Sequence, residues 1–332
     1  MDNIANLAAS ARQQLFQETA AKRGFHEAIA EKDFWVCWVL MKLFDDPELS
    51  KHLVFKGGTS LSKVHGIIDR FSEAIDLVLI WGLLGYGKAG RDPWQALSSN
   101  TQLDRFNREF NDKAALYLAQ TLCPQIQRLL SSCQSVQVCV SSSDSQTIEV
   151  AYPASFQLTA IRPEVRLEIG PLASWVPSAT YQIQSYAAEV FPEVFTRRTC
   201  SVVAIKAERT FWEKATILHQ QAFRTTTMPS GYSRHYYDMY KLAESEVLHS
   251  AFENIAILKD VVEFKQRFYR SSWANYELAK RGTFRLIPSD KHERELQQDY
   301  RSMRPMFFTS PAPWTEIVER LKLLEAEINR LW

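Results

Sequence analysis

The segment FKGGTSLSKVHGIIDRFSEAIDLVL, residues 55–79, carries side chains suited to phosphate chemistry. Its turn residues are Gly57, Gly58, Thr59 and Ser60, and Lys63 follows one helical turn later. The glycines permit close backbone approach, and backbone N–H groups at a helix start hold phosphate oxygens without side-chain bulk. The pattern predicts a turn that binds the phosphates of a nucleoside triphosphate (NTP). A plain strand–turn–helix corner is the alternative.

The strand after this turn predicts part of a metal site. Side chains on one face of a strand recur at every second residue, so positions 74 and 76 point the same way. Carboxylates there could bind paired Mg²⁺ ions about 3.5–4 Å apart, which activate the attacking oxygen and stabilise the leaving one. The chain has Asp76 but Ala74, and Glu73 points to the opposite face. One ligand expected of a two-metal site is therefore missing.

A third acid, Glu168, lies in the predicted strand EVRLEIG, residues 164–170. Its strand neighbours are apolar, and a buried carboxylate is costly unless it is paired or coordinates a metal. Glu168 is therefore a candidate Mg²⁺ ligand. A solvent-facing glutamate on an edge strand is the alternative.

A basic stretch supplies two further candidates. Between residues 196 and 241 there are eight Lys and Arg against three acids, on a chain whose net charge is +1. Lys214, flanked by apolar residues, suits a point-charge contact with the β- and γ-phosphates, and an ion pair with Glu213 or another nearby acid is the alternative. Asp238 could orient Lys214, contact the nucleotide, or pair with Arg234 one turn earlier on the same helix.

Composition limits the class of protein. A chain of 332 residues that is 46% hydrophobic and 23% charged is typical of a globular protein with one large domain or two. The five cysteines form no CxxC pair and indicate buried thiols in a reducing compartment. The N-terminus does not read as a signal peptide, and the longest apolar run, residues 34–44, is too short to span a membrane. We expect a cytoplasmic protein.

The pattern of hydrophobic residues predicts an α+β fold. Helices are predicted at 4–22, 26–45, 60–68, 102–131, 203–221, 233–247, 250–268, 292–302 and 314–332. Strands are predicted at 52–56, 75–80, 135–140, 147–152, 155–161 and 164–170. We expect a mixed-sheet nucleotidyltransferase core with N-terminal helices over residues 1–175. A mainly helical domain over residues 176–332 would complete the nucleotide and acceptor site.

Together these segments resemble the AbiEii-type nucleotidyltransferase toxins (the MenT-like group) of bacterial abortive-infection and toxin–antitoxin systems. That family belongs to the DNA polymerase β-like superfamily. The points of resemblance follow the family's order and are EKDFW (31–35), FKGGTSLSK (55–63), RFSEAIDL (70–77), VRLEIG (165–170), RTFWEK (209–214) and RHYYDMYKL (234–242). Each motif alone is weak, and their combination is specific.

The resemblance assigns roles by position. The matched residues are Gly57, Gly58, Thr59 and Ser60 for the phosphate turn, Asp76 and Glu168 for the second and third metal-binding acids, Lys214 for the triphosphate-binding lysine, and Asp238 for the acid of the last motif. The family's second motif reads Ser-Glu-Asp-Ile-Asp, so a catalytic aspartate is expected where this chain has Ala74. Either the alanine was introduced to make a toxic protein expressible, or this is a naturally inactive homologue. We favour the first explanation, because the other site residues are intact.

The resemblance also implies an activity. Such toxins are similar to enzymes that use NTP and Mg²⁺ to add nucleotides to RNA, in particular to the 3′ end of tRNA, which blocks translation. A cognate antitoxin is the expected partner. The chain with Ala74 is expected to be catalytically impaired. Nucleotidyl transfer to a protein or small molecule, and a non-catalytic nucleotide-binding module, are the alternatives.

Overall fold

A computed structural model describes residues 1–72, 74–87, 92–94, 99–159 and 161–331. The chain folds into two compact units. The first, here called the sheet unit, comprises Met1–Val64 and Phe71–Ile205. The second, the helical unit, comprises His65–Arg70 and Lys206–Trp332. A short segment from the first half of the sequence therefore belongs to the helical unit.

The sheet unit is built on a seven-stranded mixed sheet. Its strands are β1 (Leu53–Lys56), β2 (Ala74–Leu79), β3 (Gln137–Val140), β4 (Thr147–Ala151), β5 (Glu164–Gly170), β6 (Ser178–Gln184) and β7 (Thr199–Ile205). Their spatial order is β3-β4-β5-β2-β1-β7-β6. The pairs β2–β5 and β1–β7 are parallel, and the other neighbours are antiparallel. This arrangement places β2 and β5, which carry the candidate acids, in the interior of the sheet.

The helices of the sheet unit surround one deeply buried member. They are α1 (Asp2–Ala5), α2 (Ala9–Arg23), α3 (Glu27–Asp45), α4 (Gly57–Lys63), α5 (Asn100–Tyr117), α6 (Cys123–Leu130) and α7 (Tyr186–Val190), with a π-helical turn at Leu118–Leu122 between α5 and α6. Sixteen of the nineteen residues of α3 are buried, as expected for a helix that is apolar on all sides. His26 caps this helix by accepting a hydrogen bond from the Ala28 N–H.

Three buried charges of α3, in the motif EKDFW, hold other segments of the sheet unit in place. The Glu31 carboxylate accepts hydrogen bonds from the N–H groups of Ser155 and Phe156. The Lys32 ammonium donates to the backbone carbonyls of residues 162 and 164, where β5 begins. Asp33 forms an ion pair with Lys63 at the end of α4. Each of the three charges has hydrogen-bond or ion-pair partners, and these offset the cost of burying the motif.

The helical unit consists of six α-helices among the residues described. They are α8 (Ala207–Ala222), α9 (Ser233–Ala243), α10 (Val247–Glu253), α11 (Ala256–Phe268), α12 (Asp290–Ser302) and α13 (Trp314–Arg330). Helix α8 packs against α9, α10 and α11, and α9 also packs against α12 and α13. The amphipathic α13 buries Ile317, Leu321, Leu324 and Ile328 on one face.

No described helix of either unit is long and apolar enough to cross a bilayer.

The mixed α+β class is confirmed, and two predicted elements are wrong. Residues 155–161 form no strand over the positions described, because the N–H groups of Ser155 and Phe156 bond to Glu31 and Leu158 forms a tight bridge with Ile161. Strands β6 and β7 were not predicted, and residues 203–205, predicted as the start of a helix, belong to β7. In β7 the residues at even positions are buried, a period of two that marks a strand. The assignment of functional domains to 1–175 and 176–332 stays a prediction.

Candidate nucleotide-binding site

The glycine turn lies directly against the acidic strand. Gly57 begins α4 with φ at +77°, a left-handed conformation that favours glycine. A β-carbon at this position would lie 1.9 Å from Oδ2 of Asp76. The turn and the second acid of the motif therefore face each other, as the sequence predicts, and only glycine allows the backbone to approach the carboxylate so closely.

The two hydroxyls of the turn donate to backbone carbonyls. The Thr59 hydroxyl donates to the carbonyl of Ala74 and also lies 3.3 Å from that of Ser72, so it links α4 to the start of β2. The fully buried Ser60 hydroxyl donates to the carbonyl of Gly57 at 2.9 Å. The Thr59 hydroxyl therefore ties the turn to β2 and the Ser60 hydroxyl closes the turn itself, while the oxygen lone pairs remain as acceptors.

Replacing Gly57 by alanine should disable the turn. The added β-carbon overlaps the Asp76 carboxylate, and the positive φ adds backbone strain, so we expect a loss of stability of about 2–4 kcal/mol. Gly24→Ala is the matched control, because Gly24 has φ at +74° but open space where its β-carbon would lie. Thermal unfolding checks the prediction, and equal losses in the two variants would contradict the role of the contact with Asp76.

Lys63 forms an ion pair inside the sheet unit. Its ammonium lies 2.7 Å from the Asp33 carboxylate and 3.8 Å from the centre of the Tyr186 ring. Burial disfavours the charged form of this lysine, but attraction to Asp33 outweighs it and raises the pKa of Lys63. With both side chains of the pair buried, Lys63 anchors the end of α4, and we leave it out of the phosphate-binding set proposed below.

Asp76 and Glu168 are cross-strand neighbours. The parallel pairing of β2 with β5 aligns Asp76 with Glu168 and Ala74 with Arg166. Because these four positions have the same parity in the ladder, they lie on one face of the sheet. The Glu168 side chain is 45% exposed on an interior strand, so neither sequence interpretation, a buried carboxylate or an edge-strand residue, describes it.

The residues present do not fit a two-metal centre. Among the residues that the structure describes, no group of three acidic, histidine or cysteine side chains could hold a metal ion. Asp76 and Glu168 contribute two carboxylates, and Ala74 occupies the position where a third would complete the set. Hard divalent cations need such oxygen ligands, so we assign no reaction step of this chain to a bound metal.

The helical unit brings Lys214 and Asp238 together. Asp238 is fully buried and accepts from Nε and Nη2 of Arg70, both at 2.7 Å. The Lys214 ammonium donates to Oδ2 of the same carboxylate at 2.7 Å and lies 3.2 Å from Nδ1 of His235. Lys214 therefore forms an ion pair with an acid, the alternative to a phosphate contact, but the acid is Asp238 and not Glu213. Asp238 pairs with Arg70 and not with Arg234.

Burial and neighbouring charges shift the pKa values of Asp238, Lys214 and His235. Burial by itself would raise the pKa of Asp238, but attraction to Arg70 and Lys214 outweighs it and holds that pKa below the ordinary value. Burial, together with repulsion from Arg70, lowers the pKa of Lys214 despite its contact with Asp238. Burial and the nearby Lys214 lower the pKa of His235 well below its usual value, so the imidazole is neutral. One carboxylate therefore pairs with two cations, Arg70 and Lys214.

Sequence reasoning missed Arg70 and Arg166 as members of these clusters. Arg70 pairs with Asp238, and Arg166 lies beside Ala74. Both lie within motifs that the sequence analysis quotes, RFSEAIDL and VRLEIG, so a signal was present. Their partners could not be read from the sequence, because Arg70 and Asp238 are far apart in the chain.

Comparisons with known proteins agree with this architecture. The family described as "Nucleotidyl transferase AbiEii toxin, Type IV TA system" matches residues 38–320. The chain therefore belongs to this family of nucleotidyltransferase toxins of type IV toxin–antitoxin systems, which confirms the resemblance. Membership implies NTP as the substrate and an antitoxin as the counterpart. A search of curated proteins finds no match.

A solved structure supports the same fold. It is MenT4, a nucleotidyltransferase toxin from Mycobacterium tuberculosis H37Rv, which is similar to this chain with a TM-score of 0.52 and 16% sequence identity. The match covers 96% of this chain and 90% of that chain. At this identity the likeness shows the fold alone.

Proposed function

We propose that this chain is a catalytically impaired form of a toxin. The toxin transfers nucleotides from NTP to an RNA acceptor, the 3′ end of tRNA, and so blocks translation in the cytoplasm. The observation that carries the proposal is the contact of the Gly57 turn with the Asp76 carboxylate. Such a contact puts phosphate-binding backbone next to an acid that can act where phosphoryl charge develops.

In this proposal the sheet unit binds the reacting end of the NTP. Gly57 and Gly58 let the backbone of the turn approach the phosphates, and Thr59 and Ser60 brace that turn. Asp76 and Glu168 are the two metal-binding acids still present on the sheet face. An aspartate at position 74 would complete the carboxylate set for Mg²⁺, so the chain with Ala74 is impaired in catalysis.

The helical unit carries the proposed triphosphate-binding lysine. Lys214 makes a point-charge contact with the triphosphate, and Asp238 holds its ammonium in position through the bond at 2.7 Å. Arg70 fixes the other side of the Asp238 carboxylate. An RNA acceptor is favoured over a small molecule by the excess of basic residues between 196 and 241.

The acceptor is tested with tRNA whose 3′ end is either free or chemically blocked. The Ala74→Asp protein, each labelled NTP in turn and a total tRNA pool are incubated with Mg²⁺. We expect label only in tRNA with a free 3′ hydroxyl, because that hydroxyl is the attacking nucleophile. Equal labelling of blocked tRNA would refute a 3′-end acceptor, and label on protein alone would favour transfer to a side chain.

A further inference from the structure

Arg166 has a buried donor that lacks an acceptor. Its side chain is 17% exposed, and its Nε atom is buried without a hydrogen-bond partner in the described part of the chain. The Glu168 carboxylate lies 3.8 Å from that nitrogen, too far for a hydrogen bond. Since buried guanidinium N–H groups nearly always find acceptors, this orphaned donor needs an explanation.

Strand register places two residues beside Arg166, Ala74 on β2 and Glu149 on β4, and Glu149 makes no hydrogen bond to the buried Nε. Ala74 is the direct partner of Arg166 across the parallel β2–β5 pair, and both side chains lie on the face that carries Asp76 and Glu168. Neighbouring strands lie about 4.8 Å apart, so a carboxylate on the side chain of residue 74 comes within reach of the guanidinium. The methyl group of Ala74 offers no acceptor to it.

We propose that Arg166 is the positioning residue for an acidic side chain at position 74. Its Nε–H donates to that carboxylate, and its charge offsets the mutual repulsion of the acids at 74, 76 and 168 before any cation binds. The guanidinium thereby fixes the direction of the first acid relative to the second. This inference rests on the proposed function only in taking aspartate as the residue that completes the site.

A double-mutant cycle in metal-free buffer tests this role. Melting temperatures are measured with EDTA for the present chain, Ala74→Asp, Arg166→Gln and the double variant. We expect Arg166→Gln to have little effect when residue 74 is alanine, because the donor has no acceptor there. In the Ala74→Asp background the same change should lower the melting temperature by at least about 2 °C, and Arg166→Lys should restore part of the loss.

The outcomes separate this inference from the proposed function. Equal effects of Arg166→Gln in both backgrounds would show a general packing role and overturn the inference. The thermal cycle needs neither NTP nor RNA, so it can succeed even when no transfer is detected. Should the double variant fail to fold while both single variants fold, the strong coupling would itself support the pairing of residues 74 and 166.

Helix α12 of the helical unit carries a candidate surface for the RNA acceptor. The helix has four acids and three cations, and two of the acids bond to the loop before α9. Glu295 accepts from the Met228 N–H, and Asp299 accepts from the N–H groups of Gly231 and Ser233. The exposed charged residues of α12 are the cations Lys291, Arg294 and Arg301 and one acid, Asp290, which lies on the same side of the helix.

Those cations form a regular stripe. Lys291, Arg294 and Arg301 are exposed, and spacings of three and seven residues place them on one side of the helix over about 15 Å. None of the three makes an ion pair with the residues described. Unpaired cations at helical spacing fit the repeated phosphates of a nucleic-acid backbone better than a single small anion.

We propose that this α12 stripe binds backbone phosphates of the RNA acceptor, an inference that deepens the proposed function and rests on it. Binding of labelled total tRNA is measured by fluorescence polarisation with a salt titration. The variant Lys291→Glu/Arg294→Glu/Arg301→Glu should bind at least 10-fold more weakly. The corresponding triple glutamine variant should reduce the magnitude of the salt slope by roughly 2, since each lost phosphate contact contributes about 0.7–0.9.

A matched charge reversal controls for net charge. Lys259→Glu/Lys322→Glu/Arg108→Glu changes the same number of exposed cations on α11, α13 and α5. We expect it to bind tRNA nearly as well as the unchanged chain. Equal weakening in both triple variants, or no weakening in either, would overturn the α12 surface and leave the proposed function standing. Failure of the unchanged chain to bind any tRNA would overturn both.

Discussion

Ala74→Asp should raise NTP-dependent labelling of RNA by roughly 10³-fold or more. The change places a third carboxylate beside Asp76 and Glu168, on the strand face where the present chain has only a methyl group. A bound cation supplies several kcal/mol of charge stabilisation in the transition state, and each 1.36 kcal/mol corresponds to a factor of about ten in rate. The measurement is incorporation of each of the four labelled NTPs into a total tRNA pool, with and without Mg²⁺.

Two variants control this result. Ala74→Asn has nearly the shape of aspartate without its charge, and it should stay close to the present chain. Asp76→Asn in the Ala74→Asp background should remove the restored activity, because the carboxylate against the Gly57 turn is lost. Restored labelling that is unaffected by loss of Asp76 would mean that the assigned acids do not carry the reaction. No labelling with any NTP would count against nucleotidyl transfer to tRNA.

Asp238→Asn should lower the melting temperature by about 4–7 °C. Asp238 is fully buried and is the shared partner of Arg70 and Lys214. Removing one member of a buried ion pair leaves uncompensated charge and costs about 3–5 kcal/mol, which corresponds to a shift of this order for a chain of this size. In the Ala74→Asp background the variant should also lose transfer, because Lys214 loses the carboxylate that positions it.

Asp69→Asn is the matched control for this prediction. Asp69 and Lys241 also form an ion pair at 2.8 Å, but their side chains are 50% and 29% exposed. Exposed pairs contribute about 0–1 kcal/mol, so the control should shift the melting temperature only slightly. Comparable losses in the two variants would contradict the importance of burial at Asp238.

The pH dependence of the Asp238 effect follows from the sign of its pKa shift. The folded-state pKa lies below the ordinary value of 3.8, so the unfolded chain binds this proton more readily. The stabilisation is therefore fully present above about pH 4 and declines as the pH falls through the folded-state pKa. Thermal unfolding from pH 7 to pH 4.5 should show a constant difference between the present chain and Asp238→Asn.

Local patterns in the sequence predicted most of the elements that carry the site. The turn at Gly57 and the strand containing Asp76 were predicted next to each other, because a glycine turn between a strand and a helix has a short-range signature. The strand carrying Glu168 was predicted with its observed bounds, residues 164–170. The alternation in β7 was overlooked, because apolar residues there run directly into helix α8.

The partners of the charged residues were decided by tertiary structure. Lys63 was predicted to bind phosphate from its position after the turn, and its contact with Asp33 depends on how α3 packs beside α4. Arg70 begins the motif RFSEAIDL, and only the fold brings it to Asp238. Ion pairs between residues distant in sequence leave no periodic pattern, so composition and spacing could not predict them.

The sequence by itself determined the family of this protein, the α+β class, the turn at Gly57–Gly58 and the missing acid at Ala74, because these depend on residue identity and short spacing. The tertiary structure decided which side chains share a face and which charges neutralise each other. Strand register aligned Ala74 with Arg166 and Asp76 with Glu168. Register results from the packing of whole strands, which no single motif encodes.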